Sequence, residues 1–447
     1  MISHQEERSG YEQSSLLRIA WVVLAASSVM LSKPVMAAEY TVVGDSNTYL
    51  RMKTTVDKND LYPLYEYLRF SVSVAEKDGS ATSLHLGAWG RADLGDKSTN
   101  DRVDGDLQYG FISYQGAKNN LVLNAGRQFV TEGVATERID GLYVRNDLAA
   151  GFAAAAFIGS PVVTDPIGRL SGGEFIYGGR LSQGKPGLYS VGLSALKSNG
   201  ENDSRDREEQ GLDLWVHPLQ QLDITGRSSY NSITSGWMEH AYTISVAPLD
   251  TLTISADLSR VNYEDYFFNV TTSAFSLING TSGIISPDEE LTTAGIAAAW
   301  SPTKNVTVAA DYKNYSYDLA GDADYFGGRV AFVLPDSLSA GLSVHRMEGA
   351  TDRLRYSEYR LYALKKLGAV DLAADLFNVS YDKSINGVKD SFALTGSAGY
   401  RFNEKLRVWA DLEYSQSPDF DNELRGLVKV AYAFDMKRSE GGGNSEK

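Results

Sequence analysis

The side chains best suited to bond-making chemistry are few and scattered in this chain. Cysteine is absent, which removes thiolate nucleophiles, disulfides and covalent c-type haem attachment. The five histidines, His4, His85, His217, His240 and His345, show no metal-ligand spacing. No serine lies in a nucleophile elbow, and no glycine-rich phosphate loop follows a strand and opens a helix. No catalytic residue, metal site or cofactor is therefore expected. His345 is the one histidine placed where a His–Ser or His–Asp pair could form at the end of a strand. What recurs instead is charge on a two-residue beat.

Successive strand side chains point to opposite faces. Reading the phase of each block puts Arg51, Lys53, Arg69, Arg91, Arg145 and Arg180 on one face. The same face carries Asp213, Asp223, Arg227, Asp257, Asp311 and Lys313, then Arg401, Arg407, Arg425 and Lys429. Asp93, Glu174, Arg329, Asp371, Asp375, Asp411 and Glu413 share that phase. The opposite face is Leu, Val, Ile, Ala and Phe. So many charges exclude a dry interior, so they must line water. If the last strand closes on the first, Arg401, Arg407, Arg425, Lys429, Arg51, Lys53, Arg69 and Arg91 form one basic wall. Asp213, Asp223, Asp257 and Asp311 would then stand opposite, setting up a transverse field that selects solutes. The alternative role for these charges is to brace the wall by pairing.

The elements that must position such charges are strands. In the block 305–313, Val306, Val308, Ala310 and Tyr312 share one face, while Asn305, Thr307, Asp311 and Lys313 share the other. Blocks of about ten residues match tilted strands crossing a bilayer. Between them, short turns rich in Gly, Pro, Asn and Asp (77–80, 115–119, 183–187, 248–250, 301–304, 335–336, 367–368, 403–405) alternate with longer connections. The longer set is 95–102, 130–138, 159–173, 198–208, 263–290, 317–324, 347–353 and 382–389. Sorting of this kind predicts an all-β fold, a transmembrane antiparallel up-and-down barrel with about 22 strands, or 18 to 20 if weak blocks merge. Short turns would face the periplasm and long loops the exterior. Pro63 is tolerable only at a strand start or edge. Trp300, Tyr312, Tyr400, Phe402, Tyr414, Tyr432 and Phe434 fit aromatic girdles at the membrane interfaces. Charges within strands should avoid lipid, where Arg or Lys costs roughly 2–4 kcal/mol at mid-membrane.

At the N-terminus an apolar run, Ile19 to Leu31, follows Arg18 and leads to Val35-Met36-Ala37. This pattern predicts a signal peptide over 1–37, a barrel over 38–434, and a flexible polar tail over 435–447 that contains Gly441-Gly442-Gly443. The destination is the Gram-negative outer membrane, reached through the periplasm. A net charge of −15 argues against nucleic-acid partners. The expected partners are membrane lipid, lipopolysaccharide and small solutes or ions; a homo-oligomer or a periplasmic or extracellular partner protein is left open. The connection 263–290 is unusually apolar, and it is expected to extend its flanking strands above the membrane rather than fold into the mouth.

Leu121-Val122-Leu123-Asn124-Ala125-Gly126-Arg127-Gln128, followed by Ile139-Asp140-Gly141-Leu142-Tyr143-Val144-Arg145 and Gly151-Phe152, resembles the porin superfamily. The block 424–434, with its aromatic close at Phe434, resembles the C-terminal strand of outer-membrane proteins. The porin resemblance implies a connection near this place that dips into the lumen, with Arg145 and Arg127 as eyelet candidates. Strict alternation instead puts Arg127 with Leu121 and Leu123, toward lipid, unless a bulge at Gly126 turns it. The function implied is passive diffusion of small hydrophilic or ionic solutes through a charge-lined channel. Two alternatives stand beside it: an export channel for an acidic polysaccharide, and a sheath around a partner such as multihaem cytochromes.

Overall fold

The computed structural model describes residues 39–54, 59–98, 101–162, 175–199, 206–266, 288–334 and 337–438. The predicted signal peptide, Glu174 and most of the connection 263–290 lie outside these. The strands are β1 (Glu39–Thr54), β2 (Asp60–Leu61), β3 (Pro63–Ala75), β4 (Ala81–Asp93), β5 (Val103–Gln115), β6 (Leu121–Glu132), β7 (Ala135–Asp147) and β8 (Phe152–Pro161). They continue with β9 (Phe175–Lys185), β10 (Tyr189–Asn199), β11 (Arg207–Leu219), β12 (Leu222–Asn231), β13 (Gly236–Leu249), β14 (Leu252–Asn262) and β15 (Glu290–Thr303). Then follow β16 (Val306–Tyr317), β17 (Ala323–Leu334), β18 (Leu338–Gly349), β19 (Arg355–Leu367), β20 (Val370–Ile385), β21 (Val388–Arg401), β22 (Leu406–Ser417) and β23 (Phe420–Arg438). One helical turn, α1 (Tyr263–Tyr266), follows β14.

Neighbours in sequence pair antiparallel, and β23 closes on β1 from Tyr40↔Arg438 to Lys53↔Arg425. The short β2 continues the stave begun by β3, with Pro63 opening the longer part, so the closed barrel has 22 staves. Closure leaves no sheet edge, which a lipid-embedded sheet requires. β23 runs past Phe434 to Arg438, because β1 starts at Glu39 and supplies partners for Asp435 and Met436. β14 and β15 stop where Asn262 meets Glu290, and α1 then turns away as helix, so the described start of that connection does not extend its strands.

Large apolar side chains point outward. Leu258, Ile296, Leu361 and Leu412 are each roughly half exposed, an inside-out pattern that suits lipid. On β14 the outward face reads Leu252, Ile254, Ala256 and Leu258 before the Arg260–Glu290 ion pair at 2.6 Å. Eight residues at about 3.3 Å each, tilted by about 40°, give roughly 20 Å of height, close to the apolar band of such barrels. The neighbouring ring pairs Tyr400–Phe402, edge to face, and Tyr432–Phe434, tilted, mark the short-turn rim. One carboxylate breaks the pattern. Glu66 shares the outward phase of Leu64 and Leu68, and the hydroxyls of Ser46 and Thr48 donate to it at 2.6 and 2.5 Å.

Candidate functional site: a hairpin folded into the lumen

The β6–β7 hairpin leaves the wall. β5 pairs with β6 only as far as Gly110↔Arg127, and β7 pairs with β8 only as far as Ile139↔Pro161. The hairpin's own ladder continues to Glu132↔Ala135. Gly126, at the departure point, has φ +127°, and a Cβ there would collide with the Gly110 carbonyl. Beyond it the hairpin must bend back sharply. Tyr143 lies eight residues down β7 from Ala135, about 26 Å if extended. Yet its hydroxyl donates to Glu132 Oε1 at 2.6 Å.

The bend directs one face of the hairpin onto the inner wall. Val130, Ala135 and Ile139 pack on Phe157, Ile176 and Leu196 of β8, β9 and β10, and together they form a buried cluster. The tip reaches β10 and β11: the Val134 amide donates to Ser194 Oγ at 3.0 Å, and Val134 sits where a Cβ on Gly211 would be. A Cβ on Gly133 (φ +62°) would collide with Ser194. Glu132, 5 % exposed, also lies 3.6 Å from Arg145 and 3.9 Å from Arg180. Between the tip, β11 to β13 and α1 lies a cavity of about 600 Å³. Its walls carry the Arg207–Glu137 and Arg227–Glu239 pairs at 2.6 and 2.9 Å.

The hairpin's other face now looks across the lumen. It carries Arg127, Phe129, Arg138 and Asp140; Phe129 is 61 % exposed. Arg127 is bidentate on Asp140 at 2.8 and 2.9 Å and also reaches Asp106 of β5 at 3.2 Å. Its phase is the lipid-facing one, as alternation expects, but the strand carrying it has left the wall, so that face meets the lumen. Arg145 remains on the wall beneath the hairpin.

The other candidates divide by wall. Arg51, Lys53, Arg69, Arg401, Arg407, Arg425 and Lys429 share the inward face of the staves around the β1–β23 seam. Lys53 pairs with Glu423 at 2.9 Å, Arg69 with Asp45 at 2.9 Å, Arg401 with Asp371 at 3.7 Å, and Arg425 with Glu423 and Glu413. Arg51, Arg407 and Lys429 have no carboxylate partner among the described residues; Arg51 and Lys429 lie over the rings of Tyr65 and Tyr49 at 5.1 and 5.0 Å. Arg91 is 6 % exposed and bonded to Ser98 and the Asp101 carbonyl, which ties down the connection after β4. On the far wall two of the four acids meet fixed cations. Asp213 takes Arg180 at 2.8 Å, Asp257 takes Lys313 at 2.9 Å, and Asp311 meets His345 at 3.1 Å. Asp223 accepts from Trp215 Nε1 at 3.0 Å, and Arg227 pairs with Glu239.

Sequence reading missed Glu132, Asp106, Arg138 and Asp140 as partners of the hairpin. It also missed a set of inward aromatics: Tyr49, Tyr65, Tyr67, Trp89 and Trp409. Their signal was in the same beat, since Tyr65 and Tyr67 share the phase of Arg69.

No family model matches the chain, and no curated protein matches it. Among solved structures, Pseudomonas aeruginosa OccK8 (OprE) is 8% identical with a TM-score of 0.45, covering 89% of this chain and 98% of that one. Acinetobacter baumannii OccAB4 is 9% identical with a TM-score of 0.45, covering 90% and 99%. Pseudomonas aeruginosa OccK5 (OpdH) is 9% identical with a TM-score of 0.42, covering 89% and 98%. At that distance the likeness is one of overall barrel form, and closure here rests on the chain's own strand pairing. The chain is a closed antiparallel β-barrel of 22 staves with an apolar outer face and one hairpin turned into its lumen.

Proposed function

We propose that this protein is a Gram-negative outer-membrane channel that passes small hydrophilic or ionic solutes passively. The observation that carries the reading is the inward hairpin, which narrows a wide barrel without a separate plug among the described residues. Solutes would diffuse between the face bearing Arg127, Arg138 and Asp140 and the seam wall, where fixed charges replace part of their hydration. The 1–37 segment would direct export, short turns would face the periplasm, and long connections would face outward. The same hairpin weighs against a sheath around a partner protein, because it takes up the interior such a partner would need.

Purified full-length protein in planar bilayers tests this. An open, ohmic unitary conductance is expected, rising when residues 129–138 are replaced by a short Gly-Ser turn. A barrel that stays sealed in both forms overturns the channel reading.

A further inference from the structure

The seam wall carries an arrangement that simple ion selectivity does not need. Here aromatic rings follow one another across adjacent staves on the lumen side. Tyr49 and Tyr67 meet edge to face at 5.6 Å, Tyr67 and Tyr65 stack at 6.3 Å, and Tyr65 and Trp89 lie 6.5 Å apart. At the other end Lys429 bridges Tyr49 and Trp409, 5.0 and 5.5 Å from their rings. Trp409 lies near the short-turn end of β22 and Trp89 near the long-loop end of β4, so the band climbs obliquely through the lumen. Beside it is a cavity of about 420 Å³ bordered by Asn47, Arg51, Gln108 and Lys429.

We infer that this band is a binding track for acidic saccharides, with ring faces for the pyranose C–H surface and Arg51 and Lys429 for the carboxylates. Two physical points carry it. The weakly positive C–H face of a sugar ring complements the negative face of an aromatic ring. A carboxylate offers a guanidinium or ammonium charge-assisted hydrogen bonds, bidentate for arginine, that a ring face does not. An incoming uronate would therefore draw each cation off its ring and bare that ring for the sugar. Tyrosine hydroxyls, Asn47 and Gln108 then offer hydrogen bonds that a hydroxyl-rich ligand can use and a plain aromatic acid cannot. Passage along the track rests on the channel reading; binding to it does not.

The test adds trigalacturonate, neutral maltotriose or benzoate to the full-length barrel in planar bilayers and reads current block. Trigalacturonate is expected to block with at least tenfold higher affinity than either of the others. Tyr49→Ala with Tyr67→Ala should weaken that block at least fivefold, and Arg51→Gln with Lys429→Gln should abolish the preference over maltotriose. Benzoate blocking as well as trigalacturonate would overturn the saccharide assignment, and no block by any probe in an open pore would overturn the site. If the barrel is sealed, tryptophan fluorescence in detergent decides the site alone. Quenching by trigalacturonate that the Tyr49/Tyr67 double variant weakens supports the track, and an unchanged signal sinks it.

Discussion

Glu132 concentrates the physical problem of the site into one residue. It is a carboxylate at 5 % exposure, and it survives there because the Tyr143 hydroxyl donates to it while Arg145 and Arg180 stand within 4 Å. Removing it leaves the Tyr143 phenol without its acceptor, while Arg145 and Arg180 keep Asp147 and Asp213. Glu132→Ala is expected to cost about 1–3 kcal/mol locally, the range for a buried donor left without its acceptor. The barrel ladder is untouched, so the loss should appear as hairpin release, read as noisy, enlarged unitary currents in a barrel that still resists SDS unfolding. A quiet wild-type current from Glu132→Ala would show that the pairing does not hold the hairpin. None of this was legible from the sequence, where Glu132 sits in an ordinary acidic connection beside Gly133. Arg127 teaches the same limit. Alternation is a local rule, correct for its phase, and silent about whether the strand stays in the wall.

At the scale of elements, what the period-two beat could supply was the staves and their sidedness. Short turns such as Asn403-Glu404-Lys405 are locked by their own residues: the Asn403 side chain accepts from the Lys405 and Leu406 amides at 2.8 Å. In sequence the connection 130–138 counts among the long ones; in the structure it is a two-residue turn on strands that extend into the lumen. The cause is packing across staves distant in sequence, with Val130 and Ile139 covered by Phe157, Ile176 and Leu196, which no local pattern encodes. The absence of cysteine allows a clean check of that placement. Val134→Cys with Gly211→Cys should form a disulfide under mild oxidant without aggregation, because Val134 occupies the space beside the Gly211 Cα. Full oxidation with wild-type conductance would confirm an inward hairpin at rest. Two thiols that stay free to alkylation would place the tip elsewhere.

For the whole molecule, the sequence suggested two facing walls of opposite sign, and the pairings change how that field should be weighed. On the far wall Asp213 is matched by Arg180 and Asp257 by Lys313 within about 3 Å, whereas Asp223 meets Trp215 and His217 and Asp311 meets His345, so the negative charge of that wall is reduced rather than removed. On the seam wall Arg425 is held by Glu413 and Glu423, and Lys53 by Glu423, whereas Arg51 and Lys429 rest on neutral rings. The cations without a carboxylate partner among the described residues, Arg51, Arg407 and Lys429, therefore gather near the closure of β23 on β1, with Asp411 in the same ladder row as Arg51. That cluster is expected to favour anions even though the chain as a whole carries −15. Arg51→Glu with Lys429→Glu should move the reversal potential in a KCl gradient toward cation preference. Arg407→Glu with Arg425→Glu should move it less, because replacing Arg425 also sets three carboxylates against one another, which favours protonation of one of them. The difference should shrink from 0.1 M to 1 M salt as the screening length falls from about 10 Å to about 3 Å. Equal shifts for the two pairs would mean that Arg407 and Arg425 are as little compensated as Arg51 and Lys429. An unchanged reversal potential in both would assign selectivity to the hairpin face, where Arg127, Arg138 and Asp140 stand across the same water.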